Sequence, residues 1–168
     1  MRFAYADPPY VGQARRHYGT PEVDHTELVR RLVEEYPDGW ALSCSSPSLR
    51  YLLGLPGMPN TVRVASWVKP FCSFKPGVNP AYAWEPVIWH GGRKRGRSMP
   101  TLRDFVSVNI TLKKGLSGAK PVEFCQWILE MLNVQPGDVL DDLFPGTGIM
   151  GETFTAWTRF GEREQWVC

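Results

Sequence analysis

Apolar residues recur along this chain in two rhythms, short buried runs and a period near 3.6, and the two alternate. Arg2 to Ala6 is a short apolar-leaning run stopped by Asp7-Pro8-Pro9, which predicts a strand ending in a turn. From Asp24 the rhythm changes. Leu28, Val29, Leu32 and Val33 return at helical spacing while Glu27, Arg30, Arg31, Glu34 and Glu35 fill the other face. Asp24 or Thr26 suits the cap of that helix, and Pro37-Asp38-Gly39 ends it. Trp40 to Cys44 reads as a buried strand and Ser48 to Leu53 as a short helix, closed by the turn residues of 54–59. Two further strands are predicted at Val62–Val68 and Glu85–Trp89, with a Pro-, Gly- and Lys-rich loop over Lys69–Ala81 between them. The basic, glycine-punctuated stretch from Gly91 to Gly118 offers one strand near Phe105–Leu112. Val122 to Leu132, opened by Pro121, is an amphipathic helix with Phe124, Ile128, Leu129 and Leu132 inward. A strand over Val139–Phe144 and a helix over Ile149–Trp157 follow, joined by Pro145-Gly146-Thr147-Gly148.

Strands alternating with helices predict an α/β fold with a mostly parallel central sheet flanked by helices. The 168 residues suit a single domain, 1–168, able to bury a core without staples. A hydrophobic share of 43% and a charged share of 21% are those of an ordinary globular protein. The first residues lack the apolar core of a secretion signal, and no apolar run is long enough to cross a bilayer, so a cytoplasmic protein without a membrane partner is expected. Cys44, Cys72, Cys125 and Cys168 have neither zinc spacing nor the setting of a disulfide framework; they read as free thiols, and no metal is expected. The net charge of +2 calls for no anionic partner, but Arg93, Lys94, Arg95 and Arg97 are crowded into one glycine-rich stretch.

Two motifs carry chemistry. Asp7-Pro8-Pro9-Tyr10 stands at a strand's carboxyl end, where α/β proteins place their sites. An exocyclic amine is a poor nucleophile because its lone pair is delocalised into the ring. A carboxylate and a nearby backbone carbonyl can accept its hydrogens and draw it toward a reactive geometry. The prolines stiffen that turn, and an aromatic ring beside it can stack on an extruded base. The second motif, Asp142-Leu143-Phe144-Pro145-Gly146-Thr147-Gly148, again joins a strand to a helix. Its glycines let backbone approach a ligand, the helix start offers unpaired N–H groups to a carboxylate, and the acid suits an ammonium. It is no Walker loop, since no Gly-Lys-Ser/Thr follows. Counted from Gly146, Gly151 completes a dinucleotide-type spacing, which leaves a nicotinamide enzyme as a minor alternative.

Together the motifs resemble those of the S-adenosylmethionine-dependent amino-methyltransferases of DNA and RNA, in the circularly permuted order where Asp-Pro-Pro precedes the glycine loop. The likeness is closer still to the mRNA adenosine methyltransferase family and its phage and bacterial DNA N6-adenine relatives. It takes in His17-Tyr18-Gly19-Thr20, Trp67-Val68-Lys69, the strand Glu85-Pro86-Val87-Ile88-Trp89 with its basic loop, and Lys120-Pro121, spanning Ala6 to about Gly161. The resemblance implies a Rossmann-like methyltransferase fold, S-adenosyl-L-methionine as cofactor, and transfer of a methyl group to a base amine, with N6 of adenine in DNA favoured. Asp7 and the Pro8 carbonyl, held by Pro9, would bind the amine and Tyr10 would stack on the base. Lys120 would reach the methionine carboxylate, and Asp142, Phe144, Gly146, Thr147 and Gly148 would line the cofactor pocket. His17 with Arg93, Lys94, Arg95 and Arg97 would meet nucleic acid, within a short target-recognition insertion at about 91–118. A bacterial or phage-infected host cytoplasm is the expected setting.

The chain departs from that family in two places. The acid that holds the cofactor ribose falls due near Gln165-Trp166-Val167-Cys168, which leaves Glu162 or Glu164 to substitute for it, or other groups to hold the ribose. The recognition segment is short, which suggests a short target, an accessible strand, or a partner subunit or second copy. A degenerate nucleic-acid-binding subunit, an N4-cytosine or RNA adenosine enzyme, and a small-molecule or protein methyltransferase stay as alternatives.

Overall fold

In the computed structural model, which describes residues 1–14, 19, 21–71, 76–111 and 119–160, strands and helices alternate except over 63–107, where three strands follow one another with no described helix between them. In chain order they are β1 (Arg2–Ala6), α1 (His25–Glu35), β2 (Gly39–Ser43), α2 (Ser46–Leu53), β3 (Arg63–Val68), β4 (Trp84–Gly91), β5 (Phe105–Ser107), α3 (Val122–Leu132), β6 (Val139–Asp142) and α4 (Ile149–Phe160). One sheet holds all six strands in the order β5-β3-β4-β2-β1-β6. Pairings β3–β5, β1–β2 and β1–β6 are parallel; β4 alone runs against its neighbours β2 and β3.

Side-chain alternation on the central strands builds a core on each face of the sheet. Phe3 and Tyr5 of β1, Ala41 of β2, Trp67 of β3 and Val87 of β4 face one way and meet Phe124, Ile128, Leu129 and Leu132 of α3 with Met150 of α4. Ala4, Ala6, Trp40, Leu42 and Ile88 face the other way and meet Leu28, Val29 and Leu32 of α1 and Leu52 of α2. Asp24 caps α1, its carboxylate accepting from the Thr26 and Glu27 N–H groups at 3.0 Å each. α3 stops at Asn133, which takes the left-handed conformation at φ 54°.

Two strands end earlier than the apolar pattern suggests. β6 closes at Asp142 rather than Phe144, because the Phe144 N–H turns back onto the Asp142 carboxylate at 3.3 Å. β5 keeps only Phe105–Ser107. Beyond it the Val108 N–H still reaches the Val68 carbonyl at 3.0 Å, and the Trp67 indole donates to the Val108 carbonyl at 2.9 Å. Leu112 to Gly118 lie outside the described residues. Among those described, no helix is long and apolar enough to cross a membrane.

Where β4 leaves β2, two glycines meet. Gly39, at φ +149°, has no room for a side chain: a Cβ there would stand 2.4 Å from the Gly92 nitrogen. Opposite it Gly91, at φ +71°, would place a Cβ 2.8 Å from the Asp38 carbonyl oxygen. Gly39→Ala is therefore expected to destabilise the fold by ~1–3 kcal/mol or more, since backbone has to move to admit the methyl group. A urea unfolding midpoint equal to wild type would show that the β2–β4 junction relaxes freely.

Candidate active site at the carboxyl edge of the sheet

Parallel β1, β2, β3 and β6 all finish at the same edge, and the reversed β4 starts there. Asp7 follows β1, Cys44 follows β2, Lys69 follows β3, Glu85 is the second residue of β4 and Asp142 ends β6. Lys120, two residues before α3, reaches into the same place. Register explains the convergence: Tyr5 lies beside Asp142, and Trp67 beside Glu85.

Four charged side chains form the centre. The Lys120 ammonium donates to Asp7 Oδ2 at 2.9 Å and stands 3.5 Å from Glu85 Oε2. Lys69 pairs with Glu85 Oε1. The Tyr10 hydroxyl donates to Glu85 Oε2 at 2.6 Å, which fixes the ring beside Asp7. Three aromatic rings surround the Lys120 ammonium, with centroids of Trp67 at 5.6 Å, Tyr10 at 5.9 Å and Phe124 at 6.0 Å. The Lys120 side chain is only 7% exposed. Two ammonium groups balance two carboxylates, which is how buried charge is tolerated.

The two carboxylates feel this setting differently. Burial raises the Asp7 pKa above the ordinary aspartate value, and the opposing pull of Lys120 does not cancel that. Burial also acts to raise Glu85, but Lys120 and Lys69 together outweigh it and hold the carboxyl below the ordinary glutamate value. For Lys120, burial disfavours the charge, yet Asp7 and Glu85 keep the ammonium firmly protonated. Burial pushes the Cys44 thiol up to about 12, with Glu85 and Asp7 adding to it, so Cys44 is no thiolate at neutral pH.

One strand away lies the glycine loop. Asp142 is half-buried, and burial, with Asp7 nearby, raises its pKa while the Phe144 N–H opposes the shift. Gly146 and Gly148 have φ of 50° and 78°, which a side chain would resist, and the Gly148 N–H bonds the Pro145 carbonyl at 2.6 Å to make the turn into α4. The first-turn N–H groups of α4 open there beside Thr147, which is exposed. Phe144 packs its ring against the α1–α2 core and is half-buried, a wall rather than a free contact.

The structure therefore brings Asp7, Pro8, Pro9, Tyr10, Lys120, Asp142 and the glycine loop to one edge. The Lys120 ammonium is held here by Asp7 and Glu85, two partners that the local sequence does not indicate. The basic cluster is elsewhere. Arg93, Lys94, Arg95 and Arg97 follow the carboxyl end of β4, and because β4 is reversed they lie at the opposite edge of the sheet. Two of the four are already committed. Arg93 grips Asp138 at 2.6 and 2.8 Å, and Arg95 holds Glu130 at 2.6 Å and the Pro100 carbonyl at 3.0 Å. The Arg93 N–H bonds the Leu132 carbonyl at 2.9 Å, so this stretch is strapped to the end of α3. Lys94 and Arg97 remain exposed. The cluster thus stands a strand's length away from Asp7. His17 lies outside the described residues, as do Glu162 and Glu164.

Three aromatics that the sequence pattern did not single out rim the site. Phe71, Tyr82 and Trp84, on the segments that leave β3 and enter β4, are 57%, 54% and 39% exposed. Their signal was available: large apolar residues in a Pro- and Gly-rich loop beside a strand end have no core to enter. Among the described residues no group of three or more His, Cys, Asp or Glu is placed to hold a metal.

No family model matches this chain, and no curated protein does. Solved structures share its fold, two of M1.HpyAVI among them. The complex of M1.HpyAVI with SAM superposes with a TM-score of 0.66 at 16% identity, over 94% of this chain and 78% of that one. A second structure of M1.HpyAVI gives 0.61 at 17% identity, over 93% and 76%. At such identity the likeness is one of fold.

The opposite shifts of the two carboxylates can be checked by following their carboxyl carbons by NMR as the pH falls. Asp7 should titrate above the ordinary aspartate value and Glu85 below the ordinary glutamate value. The consequences for stability have opposite signs. Glu85 contributes stability that is present above the ordinary value and lost as pH drops through its lowered one. Asp7 in its charged form is a cost, relieved as pH drops through its raised one. An Asp7 that titrates at or below the ordinary value would show that Lys120, not burial, governs it.

Proposed function

We propose that this protein is an S-adenosylmethionine-dependent methyltransferase acting on the exocyclic amine of a nucleic-acid base, with N6 of adenine in DNA as the favoured target. The observation that carries the reading is the adjacency of Asp7 and Asp142. The amine-binding motif and the cofactor-type loop, at opposite ends of the sequence, finish on neighbouring parallel strands β1 and β6. A donor and an acceptor held there lie side by side at one edge.

The residues present fit the cofactor. The Asp142 carboxylate suits the ammonium of its amino-acid end, and the N–H groups at the start of α4 suit its carboxylate. The ammonium of Lys120, buried beside Asp7, has donors enough to reach that carboxylate as well. The neighbour M1.HpyAVI, solved with SAM, supports the same assignment. When bound, S-adenosylmethionine supplies an electrophilic methyl group.

This chain's own residues do the rest. The Asp7 carboxylate already accepts from a nitrogen donor, Lys120, and a base amine presents the same kind of donor. Accepting from that amine, with the Pro8 carbonyl as second acceptor, localises its lone pair toward the methyl group. Tyr10, fixed at its hydroxyl by Glu85, offers a ring face to the base. Phe71, Tyr82 and Trp84 around the rim favour a substrate whose neighbouring bases are unpaired and free to stack.

Incubating the protein with labelled cofactor and mixed DNA and RNA, then analysing nucleosides by mass spectrometry, tests the reading directly. N6-methyladenine from DNA is the expected product. Binding of polymer with no methylated nucleoside would instead mark a binding subunit.

Asp7→Asn should lower methyl transfer by ~10²–10³-fold, because a preorganised acceptor becomes an amide. Cofactor affinity in that variant should stay within a few-fold of wild type. Asp142→Ala should do the reverse, weakening cofactor binding by roughly 10–150-fold through loss of a charge-assisted hydrogen bond of ~1.5–3 kcal/mol. Isothermal titration with S-adenosylmethionine and single-turnover rates separate the two effects. Full turnover in Asp7→Asn removes Asp7 from the mechanism, and unchanged affinity in Asp142→Ala places the cofactor elsewhere.

A further inference from the structure

At the edge of the sheet opposite Asp7 there is an open concavity of about 340 Å³. Arg63, Arg95, Arg97 and Arg103 line it, with the ring of Trp89 as one wall and Asp104 as the sole carboxylate in the lining. None of these groups takes part in the reaction proposed above. Arg63 opens β3 and lies 5.3 Å from the Trp89 ring centroid, held also by Asp104 at 3.6 Å. Arg103 stands over the Phe105 ring at 5.7 Å. Arg95 is fixed by Glu130, but Arg97 is exposed.

Four guanidinium groups face two carboxylates, Asp104 beside Arg63 and Glu130 beside Arg95, so the hollow keeps a net positive charge, and flat guanidinium forks match the oxygens of a phosphate. The hollow is open and three of its cations stay wet: Arg97 and Arg103 are exposed and the Arg63 side chain is 62% exposed. A site for a free nucleotide would enclose most of its ligand. An open row of arginines instead suits a chain of phosphates passing over it.

The place of the hollow sets its relation to the active site. β3 begins at Arg63 and delivers Lys69 to the catalytic edge, and its six residues span ~20 Å. In a duplex each strand advances ~3.4 Å per nucleotide along the axis, so that separation is about six nucleotides at most and fewer for an extended single strand. We propose that this arginine hollow is an exosite for the phosphodiester backbone of the polymer substrate, engaged a few nucleotides from the base at Asp7. The proposal rests on the nucleic-acid reading above.

The test compares wild type with the triple variant Arg63→Ser, Arg97→Ser, Arg103→Ser, leaving Arg95 because it braces α3. Both proteins are given a four-nucleotide and a thirty-nucleotide DNA strand, each carrying one adenine, over a range of salt concentrations. Wild type should bind the long strand more tightly than the short one. The variant should lose at least ~10-fold affinity for the long strand, and its dependence of log affinity on log salt should flatten by about 2, near 0.7 per lost contact. Methylation of the short strand should be the same in both proteins, which also shows that the variant is folded. Equal long-strand affinity and slope in the two proteins overturns the exosite while leaving the methyltransferase reading intact. Pyrophosphate or ATP that saturates the wild-type hollow, without competing with the long strand, overturns it in favour of a small phosphate ligand. If wild type methylates neither strand, the functional reading falls and the exosite falls with it.

Discussion

The arrangement at the catalytic edge depends on the ion pair between Lys120 and Asp7. Burying either charge unpaired would cost several kcal/mol, and Asp7 has Lys120 as its close ion-pair partner while Lys120 has Glu85 as a second. Their pairing draws the start of α3 onto the end of β1, and with it the helix that contributes more buried side chains than any other element to the core on that face of the sheet. Glu85 and Lys69 extend the pair to four charges and bring in β3 and β4. The balance is not symmetrical. Two lysines act on Glu85, while Asp7 has one close lysine and a like-charged neighbour in Glu85. The carboxylate that the proposed reaction needs as an acceptor is thus the less satisfied of the two, and the better able to exchange one nitrogen donor for another.

Reversal of β4 is what makes this cluster available. In an all-parallel sheet the first residues of every strand lie at the edge away from the site. Running β4 backwards puts its second residue, Glu85, between the ends of β2 and β3, where the lysines need an acid. The same reversal sends Trp89 and the basic residues after Gly91 to the far edge. One choice of strand direction therefore separates the charge-paired centre from the arginine hollow by the full height of the sheet.

Much of this was legible in the chain. Asp24 before an apolar 3.6 pattern, Pro121 before another, and glycines at the ends of strands each mark a boundary by a local mechanism, and the elements follow. The two motifs also announced themselves, because a carboxylate followed by two prolines at a strand end has few structural uses. What could not be read was pairing. Helical and strand periods say nothing about which strand lies beside which, so the position of the basic cluster depended on the direction of β4. Lys120 illustrates the same gap: local sequence shows a lysine before a helix-starting proline, and only the fold shows that Asp7 and Glu85 wait at the end of its side chain. Arg63 and Arg103 escaped notice because they stand far apart in sequence: Arg63 meets Trp89 across the β3–β4 pair, and Arg103 arrives just before β5, the other neighbour of β3.

Dispersal of these groups has a physical consequence for how such a site can change. Asp7 and Tyr10 come from the end of β1, Lys69 from β3, Glu85 from β4 and Lys120 from the entry to α3, and each is linked to the next by a hydrogen bond or ion pair. Removing one member leaves a buried charge without a partner, so substitutions there act on stability as well as on chemistry. The rim is different. Phe71, Tyr82 and Trp84 are exposed on segments outside the charge network, and Arg97 at the far edge is exposed too. Substitutions at those positions leave the buried pairs whole. Variation in what the protein recognises can then accumulate on rim and hollow while the centre stays fixed, because only the centre is held by charges that cannot be separated cheaply.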